Sequence, residues 1–187
     1  MSSNIKYTVF KTQSGYFGFC CTEKGVLRTC LPLKTRESVE DYLWAGIVNP
    51  VFDKNLRPSL QTQIMAYYEG DCVDFSKTPV DLSGLTPFTQ KVLLACMKIK
   101  YGQSITYKQL AEQVGSPNSA RAIGGVMARN PIPLIIPCHR VLSASGSLCG
   151  FSAPGGIDTK KWMIDLESQN RPKSKTTGFL PKTPLRP

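Results

Sequence analysis

Residues Ile136–Val141 read Ile-Pro-Cys-His-Arg-Val, and this stretch of the 187-residue chain leads to both its fold and its chemistry. It places Cys138 directly against the only histidine of the sequence, His139. The thiolate is the nucleophilic form of cysteine, and a neighbouring base promotes its formation. Because the chain has seven cysteines, adjacency alone is weak evidence. The sequence on either side has to decide what the pair means.

A helix of unusual composition precedes this stretch. Positions 120–128 read ARAIGGVMA within a helix predicted over 118–129, and each interior glycine costs about 1 kcal/mol relative to alanine. Such a surface either admits a partner close to the backbone, with Arg121 projecting from it, or packs against another helix. Residues 130–137 are predicted to be extended and buried, because their prolines exclude a central helix. That run would place Cys138 in the interior or at the floor of a cleft.

Further helices are predicted around this region. Thr86-Pro87 begins a helix that runs through Ile99, and Thr106–Val114 forms the next, with capping-box spacing at its start. A tight turn leads from it to the helix over 118–129. Two short helices joined in this way, in a basic region, resemble a helix-turn-helix, although helical hairpins also occur without DNA. A last helix is predicted over Asp158–Ser168, with Asp158 as its cap.

The first third of the chain has a different pattern. Short β-rich runs separated by turn residues predict a three-stranded sheet, and helical spacing then predicts two helices. The predicted elements are strands Lys6–Lys11, Tyr16–Thr22 and Val26–Leu31 and helices Ser38–Ala45 and Pro58–Tyr68. This order indicates a small α+β unit with a structural role.

Composition and charge narrow the classes of function. Hydrophobic residues make up 41% of the chain, which suffices for a packed core, and no apolar run approaches a membrane span of about 18 residues. No signal-peptide core follows the N-terminus, so we expect an intracellular protein with reduced thiols, in the cytoplasm or, in a eukaryote, the nucleus.

The net charge of +10 is uneven. Lys and Arg outnumber Asp and Glu by 9 to 8 in residues 1–80, by 9 to 5 in residues 81–170 and by 5 to 0 in residues 171–187. The basic excess of the second half favours a polyanionic partner, with a merely solubilising charge as the alternative. Residues 171–187, rich in proline, are predicted to be disordered.

The segment Pro137–Val141, preceded by Arg-Ala-Ile-Gly-Gly at 121–125 and by Asn130-Pro131, closely resembles the O6-alkylguanine-DNA alkyltransferases, also called methylated-DNA–protein-cysteine methyltransferases. The resemblance covers residues 86 to 167. It implies an α+β fold: an N-terminal α+β domain over 1–82, then a winged-helix-like domain containing the helix-turn-helix over 83–170. The basic tail follows.

The resemblance implies a DNA-repair enzyme that needs no cofactor and no metal and acts once. It would flip O6-alkylguanine out of the duplex and transfer the alkyl group irreversibly to its own cysteine. Cys138 would be the acceptor and His139 its base, acting through water, while Glu167 would orient the histidine. Asn130 would brace the segment near the cysteine. Tyr107 would assist flipping and protonate the leaving guanine.

The other implied site residues contact DNA or the extruded base. Arg121 would enter the minor groove and occupy the place of that base, in a complex of one protein monomer with double-stranded DNA and without strong sequence preference. Further expected DNA contacts are Thr106, Ala120, Gly124, Gly125 and Arg129. Expected contacts to the substrate are Val141, Ser152 and Arg140.

Two departures from the family pattern leave the preferred alkyl size open. Cys149 stands where a glycine is common in the wall of the alkyl pocket, and the loop before Trp162 is two residues longer than in the vertebrate pattern. With one histidine, the chain cannot form the mixed zinc site of some members. An all-cysteine site is left open, from Cys20, Cys21, Cys30 and Cys72.

Two other functions compete with repair. One is a module that recognises alkyl lesions without transfer, but such proteins lack the cysteine that this chain has. The other is a cysteine hydrolase that uses Cys138 and His139, which would leave the Gly-Gly helix unexplained.

Overall fold

The N-terminal part of the molecule is built on a four-stranded sheet. The computed structural model describes residues 5–170. The strand order is β3-β2-β1-β4, with antiparallel pairing throughout except that β4 runs parallel to β1. The strands are β1 (Lys6–Thr12), β2 (Gly15–Cys21), β3 (Val26–Leu33) and β4 (Val51–Phe52). The three predicted strands are confirmed. The three-stranded sheet is corrected by β4, whose two exposed residues are too few to show an alternating pattern.

Two helices cover this sheet. α1 (Arg36–Trp44) begins after Thr35, whose side chain accepts a hydrogen bond from Ser38 N, and it packs on β2 and β3. Gly18 permits this close packing, because a Cβ there would lie 2.6 Å from the side chain of Val39. α2 (Pro58–Glu69) contributes apolar side chains to a larger core that continues into the second half of the chain. Both helices were predicted.

The second half consists of helices around one small strand pair. Its helices are α3 (Pro87–Cys96), α4 (Tyr107–Gln113), α5 (Ala120–Ala128) and α6 (Gly156–Gln169), and its strands are β5 (Ile105–Thr106) and β6 (Val141–Leu142). The strands pair in parallel, and α3, α4 and α5 contact one another. The main core joins this bundle to α2 and the sheet.

Local capping signals account for the helix starts. Thr86 and Thr106 accept hydrogen bonds from the backbone three residues on, and Thr106 forms the full capping box. The helix from Thr86 ends at Cys96, before the predicted Ile99, and α5 lies inside the predicted range 118–129. The prediction that Asp158 caps the last helix is wrong: Gly155, in a left-handed conformation, is the N-cap, and Asp158 lies in the first turn.

The prediction of an extended run over 130–137 is also wrong. Leu134 has φ of 77°, and Pro133 pairs with Ile136 in an isolated bridge, so the chain folds back in a compact turn. Prolines exclude a helix here, but they are compatible with turns. The segment is nevertheless buried, as predicted.

None of the helices formed by residues 5–170 combines the length and apolar character required to cross a membrane. The predicted disordered tail, residues 171–187, lies outside the described residues.

Candidate active site

The Cys138 thiol lies in a one-turn 3-10 helix, Cys138–Arg140, that follows Pro137. Only 5% of Cys138 is exposed. Burial raises the pKa of this thiol, although a hydrogen bond from Asn130 and the charge of Lys160 act in the opposite direction. The resting sulfur is therefore a protonated thiol, and its use as a nucleophile requires a base.

His139 provides a base with a defined tautomer. Its ring is fully buried, and Nε2 lies 2.7 Å from Oε1 of Glu167. Because an ionised carboxylate only accepts hydrogen bonds, the imidazole must donate from Nε2, which leaves a lone pair on Nδ1. Nδ1 has no hydrogen-bond partner among residues 5–170, so Cys138 Sγ does not contact it directly. Burial lowers the pKa of His139 despite the opposing effect of Glu167.

Glu167, near the end of α6, is the centre of a buried hydrogen-bond network. Besides His139, Arg140 donates from Nε and Nη2 at 2.9 Å each, the Tyr67 hydroxyl at 2.9 Å and Gly102 N at 3.0 Å. Burial alone would raise the pKa of Glu167, but the hydrogen bonds and charges of His139 and Arg140 lower it to about 2. The carboxylate is thus ionised and held rigidly against the histidine.

Arg140 is buried and takes part in the same network. Its guanidinium binds Glu167, donates to Ile99 O at 2.6 Å and lies 5.8 Å from the centre of the Tyr101 ring. The Arg140 side chain is therefore engaged in holding Glu167, and its expected contact with the substrate stays a prediction.

Asn130 fixes the turn that leads to the cysteine. Its Nδ2 donates to Ile136 O at 2.8 Å, and its Oδ1 accepts from Ile132 N at 3.0 Å. The N-terminal sheet supports the same turn, since Thr29 donates from its hydroxyl to Pro133 O at 2.7 Å. Asn130 therefore holds the backbone of the turn that ends at Cys138, and its role as the brace of that segment stays a prediction.

The predicted DNA-contacting residues lie on α5 and at the start of α4. Arg121 and Arg129 are exposed, whereas Ala120, Gly124, Gly125 and Thr106 are half-buried. A Cβ on Gly124 would lie 4.0 Å from the Tyr107 ring, and one on Gly125 would lie 3.5 Å from the Arg129 guanidinium. The two glycines thus leave a low surface beside both side chains. Tyr107, the first residue of α4, lies beside Gly124, and its ring centre is 6.0 Å from the buried Lys160 Nζ.

The remaining predicted substrate contacts differ in exposure. Val141 is fully buried directly after the 3-10 helix, and Ser152 is exposed and donates from its hydroxyl to Ala128 O. Ser152 and Asn130 also line a cleft of about 370 Å³, together with Arg28 and Tyr42 of the N-terminal part. The N-terminal part therefore lies beside two of the predicted site residues, which the sequence did not predict.

The sequence did not indicate that two further buried residues, Lys160 and Tyr67, contact the site residues. Lys160 is fully buried on α6 and donates to the Val141 carbonyl, and the Tyr67 hydroxyl of α2 donates to Glu167. Helical spacing marked Tyr67 as a core residue, but nothing in the sequence separates Lys160 from the exposed Lys161.

The cysteines of the N-terminal part do not gather into a metal site. Cys20, Cys21 and Cys30 are buried and Cys72 is exposed. Among the described residues no three His, Cys, Asp or Glu side chains are placed to hold a metal ion.

Comparison with known proteins identifies relatives along most of the chain. The family model described as "6-O-methylguanine DNA methyltransferase, DNA binding domain" matches residues 87–169. The methylated-DNA–protein-cysteine methyltransferase of Mycobacterium tuberculosis is 41% identical over 114 residues, 61% of this chain and 67% of the relative. The Rattus norvegicus protein of the same name is 41% identical over 96 residues, 50% of this chain and 46% of the relative.

Solved structures extend the likeness to the N-terminal part. The M. tuberculosis O6-methylguanine methyltransferase has a TM-score of 0.73 at 30% identity, covering 90% of this chain and 96% of that one. The M. tuberculosis OGT in complex with DNA has a TM-score of 0.74 at 29% identity, with the same coverage. The chain therefore belongs to the methylated-DNA–protein-cysteine methyltransferase family.

Proposed function

We propose that this chain repairs DNA by direct reversal, transferring the alkyl group of O6-alkylguanine irreversibly to Cys138. The observation that carries the proposal is the arrangement around the sulfur. The buried Cys138 thiol, whose pKa Asn130 lowers against the effect of burial, is adjacent to a neutral histidine. That histidine binds the ionised Glu167 through Nε2, and its Nδ1 has no hydrogen-bond partner among residues 5–170. This arrangement can generate a thiolate on demand.

The reaction balances with the residues present. His139 Nδ1 takes the thiol proton through a bridging water, since the sulfur does not contact it directly. The Cys138 thiolate forms a bond to the alkyl carbon, the carbon–O6 bond breaks, and its electron pair goes to guanine. Tyr107 gives its hydroxyl proton to that leaving guanine. The product is a thioether, so each molecule acts once.

DNA is the partner that the surface supports. We propose that α5 enters the minor groove, with Arg121 in place of the extruded base and Arg129 near the backbone. Exposed guanidinium groups on a helix with two adjacent glycines permit a close approach to phosphates, and backbone contacts carry no sequence preference. We further propose that one monomer binds each lesion.

A stoichiometry experiment tests this function. Duplex DNA with one O6-methylguanine is incubated with substoichiometric protein, and repaired guanine is counted. We expect repair to stop when it equals the amount of protein. Cys138→Ser should bind the duplex and repair nothing, whereas Cys149→Ser should still repair.

Three results would contradict the proposal. Continued turnover would indicate a true catalyst, and repair by Cys138→Ser would place the acceptor elsewhere. Binding without any repair by the wild-type protein would indicate a module that only recognises lesions.

A further inference from the structure

Tyr67 is a buried phenol of α2 that the reaction described above does not use. Its side chain is fully buried, and its hydroxyl donates to Oε1 of Glu167 at 2.9 Å. Burial and the charge of Glu167 raise the pKa of Tyr67 well above its ordinary value. The hydroxyl therefore keeps its proton, and Tyr67 is a permanent donor to the carboxylate that holds His139.

Aromatic neighbours surround the donor. The centre of the Tyr67 ring lies 5.4 Å from that of Tyr68, 6.0 Å from that of Tyr101 and 6.1 Å from that of Phe75. All three pairs are edge-on or tilted, as aromatic rings prefer in a close-packed interior. This packing fixes the ring, so the hydroxyl is held at Glu167 and does not move freely between partners.

The oxygen that receives this hydrogen bond is also the one that receives His139. Nε2 of His139, Nη2 of Arg140 and the Tyr67 hydroxyl lie 2.7, 2.9 and 2.9 Å from Oε1 of Glu167. An ionised carboxylate has about four lone-pair sites on its two oxygens, so three donors at one oxygen compete. Each hydrogen bond to the charged form also lowers the affinity of the carboxylate for a proton. Tyr67 thus weakens the pull of Glu167 on the imidazole.

The surrounding charges determine which form of His139 is favoured. Burial and the charges of Arg140 and Lys160 favour the neutral ring, while Glu167 favours the imidazolium. Tyr67 therefore opposes the group that would protonate the base. The other titratable groups in charge contact with Glu167 or Arg140 keep one charge state between about pH 5 and 8, where histidine titrates. They are the neutral Tyr101, Cys72 and Cys96 and the ionised Asp74.

We propose that Tyr67 is a positioning residue that keeps His139 in its neutral, proton-accepting form, an inference that rests on the proposed function. Its hydroxyl shares Oε1 of Glu167 with the histidine and limits how strongly the carboxylate stabilises an imidazolium. Tyr67 keeps its own proton throughout. Through this contact the N-terminal part controls the pH range in which Cys138 reacts.

The single histidine of the chain allows a direct test. The full chain, without a histidine tag, is prepared with nitrogen-15-labelled histidine, and the imidazole signals are recorded against pH. Tyr67→Phe removes the hydroxyl and keeps the ring. We expect the midpoint of His139 protonation to rise by about 0.5–1 pH unit, because a hydrogen bond to the charged carboxylate is lost. At neutral pH the Nε2 proton should move downfield, since one competitor for Oε1 is gone.

Tyr68→Phe is the matched control. Tyr68 is the next residue of α2 and is 3% exposed, but its hydroxyl has no hydrogen-bond partner among residues 5–170. The substitution removes the same atom from the same helix without touching Glu167. It should leave both the protonation midpoint and the Nε2 proton of His139 unchanged.

Single-turnover reaction with free O6-benzylguanine adds a readout of function. The rate should rise with pH as His139 loses its proton, because only the neutral ring is a base. Below the midpoint, Tyr67→Phe should react about 3- to 10-fold more slowly than the wild type, which is the same shift expressed as a rate. The two rates should converge at higher pH, where His139 is neutral in both proteins.

Unchanged His139 signals in Tyr67→Phe, or equal changes in Tyr68→Phe, would overturn the inference. A rate that falls by the same factor at every pH would show a merely structural role and would overturn it as well. The proposed function fails separately: it would fail if the wild-type protein transferred no alkyl group at any pH, whatever the His139 signals show.

Discussion

At the scale of single residues, the site separates charge from the nucleophile. The pKa of Cys138 is raised by burial, while that of Glu167 is held at about 2 by His139 and Arg140 in spite of burial. The permanent negative charge therefore sits on the carboxylate, and the sulfur stays protonated until it is needed. Since oxidation follows thiolate character, this arrangement also protects a thiol that can be used only once.

The low pKa of Glu167 predicts how stability depends on pH. Its stabilising contribution is fully present above the ordinary value of 4.5 and is lost as the pH falls toward about 2. Glu167→Gln should therefore lower the free energy of unfolding at neutral pH, on the order of 3 kcal/mol, and flatten its dependence on pH in that window. Denaturant unfolding at several pH values measures both effects.

Asp165→Asn is the control for this prediction, because Asp165 lies on the same helix but pairs with Lys161 at the surface. It should change stability little. A Glu167→Gln protein whose stability falls with acid as steeply as that of the wild type would contradict the assignment.

At the scale of elements, α5 combines a buried apolar face with a surface of small side chains. Ile123, Val126 and Met127 are buried in the core, while Arg121 projects into solvent. Gly124 keeps the helix low beside Tyr107. Such a helix loses intrinsic stability and leaves room for the close approach of a partner, as the proposed contact of α5 with DNA needs.

Replacing Arg121 should affect repair of duplex DNA more than the chemistry itself. Since unstacking a base costs a few kcal/mol, Arg121→Ala should slow repair of O6-methylguanine in a duplex on the order of 10²-fold. Its reaction with free O6-benzylguanine, which needs no flipping, should slow far less. Single-turnover kinetics with both substrates measure this ratio.

Lys24→Ala is the control, because it also removes one positive charge, at an exposed turn of the N-terminal sheet. It should leave the rates of both reactions unchanged. Equal losses on the two substrates in Arg121→Ala would contradict a flipping role.

An element could be predicted where the residues that determine it lie close together in the sequence. The caps at Thr86 and Thr106 and the Gly-Gly helix are local patterns, and they were predictable. β4 and the pair of β5 and β6 depend on partners distant in sequence, and each has only two residues. The turn at Leu134 depends on Thr29 and Asn130, which hold it by hydrogen bonds. No local pattern carries that information.

At the scale of the whole molecule, the N-terminal part supports the site. Thr29 binds the carbonyls of Pro131 and Pro133, and Tyr67 binds Glu167. We propose a structural domain over 1–82 and a DNA-binding alkyltransferase domain over 83–170. The two domains differ in their proposed roles, but they share one hydrophobic core, because the main apolar cluster spans both parts.

Removing the hydrogen bond from the Thr29 hydroxyl should destabilise the turn that leads to Cys138. Thr29→Val keeps the shape of the side chain but leaves the buried Pro133 carbonyl without its donor, at a cost of about 1–3 kcal/mol. We expect a lower melting temperature and slower alkylation of Cys138, with unchanged affinity for duplex DNA. Thr8→Val, at another buried threonine of the sheet, is the control for the alkylation rate. An unchanged rate in Thr29→Val would show that the sheet does not support the turn.

Peptide mass spectrometry shows whether Cys138 itself accepts the alkyl group. The protein is incubated with a duplex containing O6-methylguanine, digested and sequenced by fragmentation. We expect one methyl group per molecule, on the sulfur of Cys138, with Cys149 and Cys72 unmodified. A methyl group on another residue, or restored guanine in the DNA with no modified peptide, would contradict it.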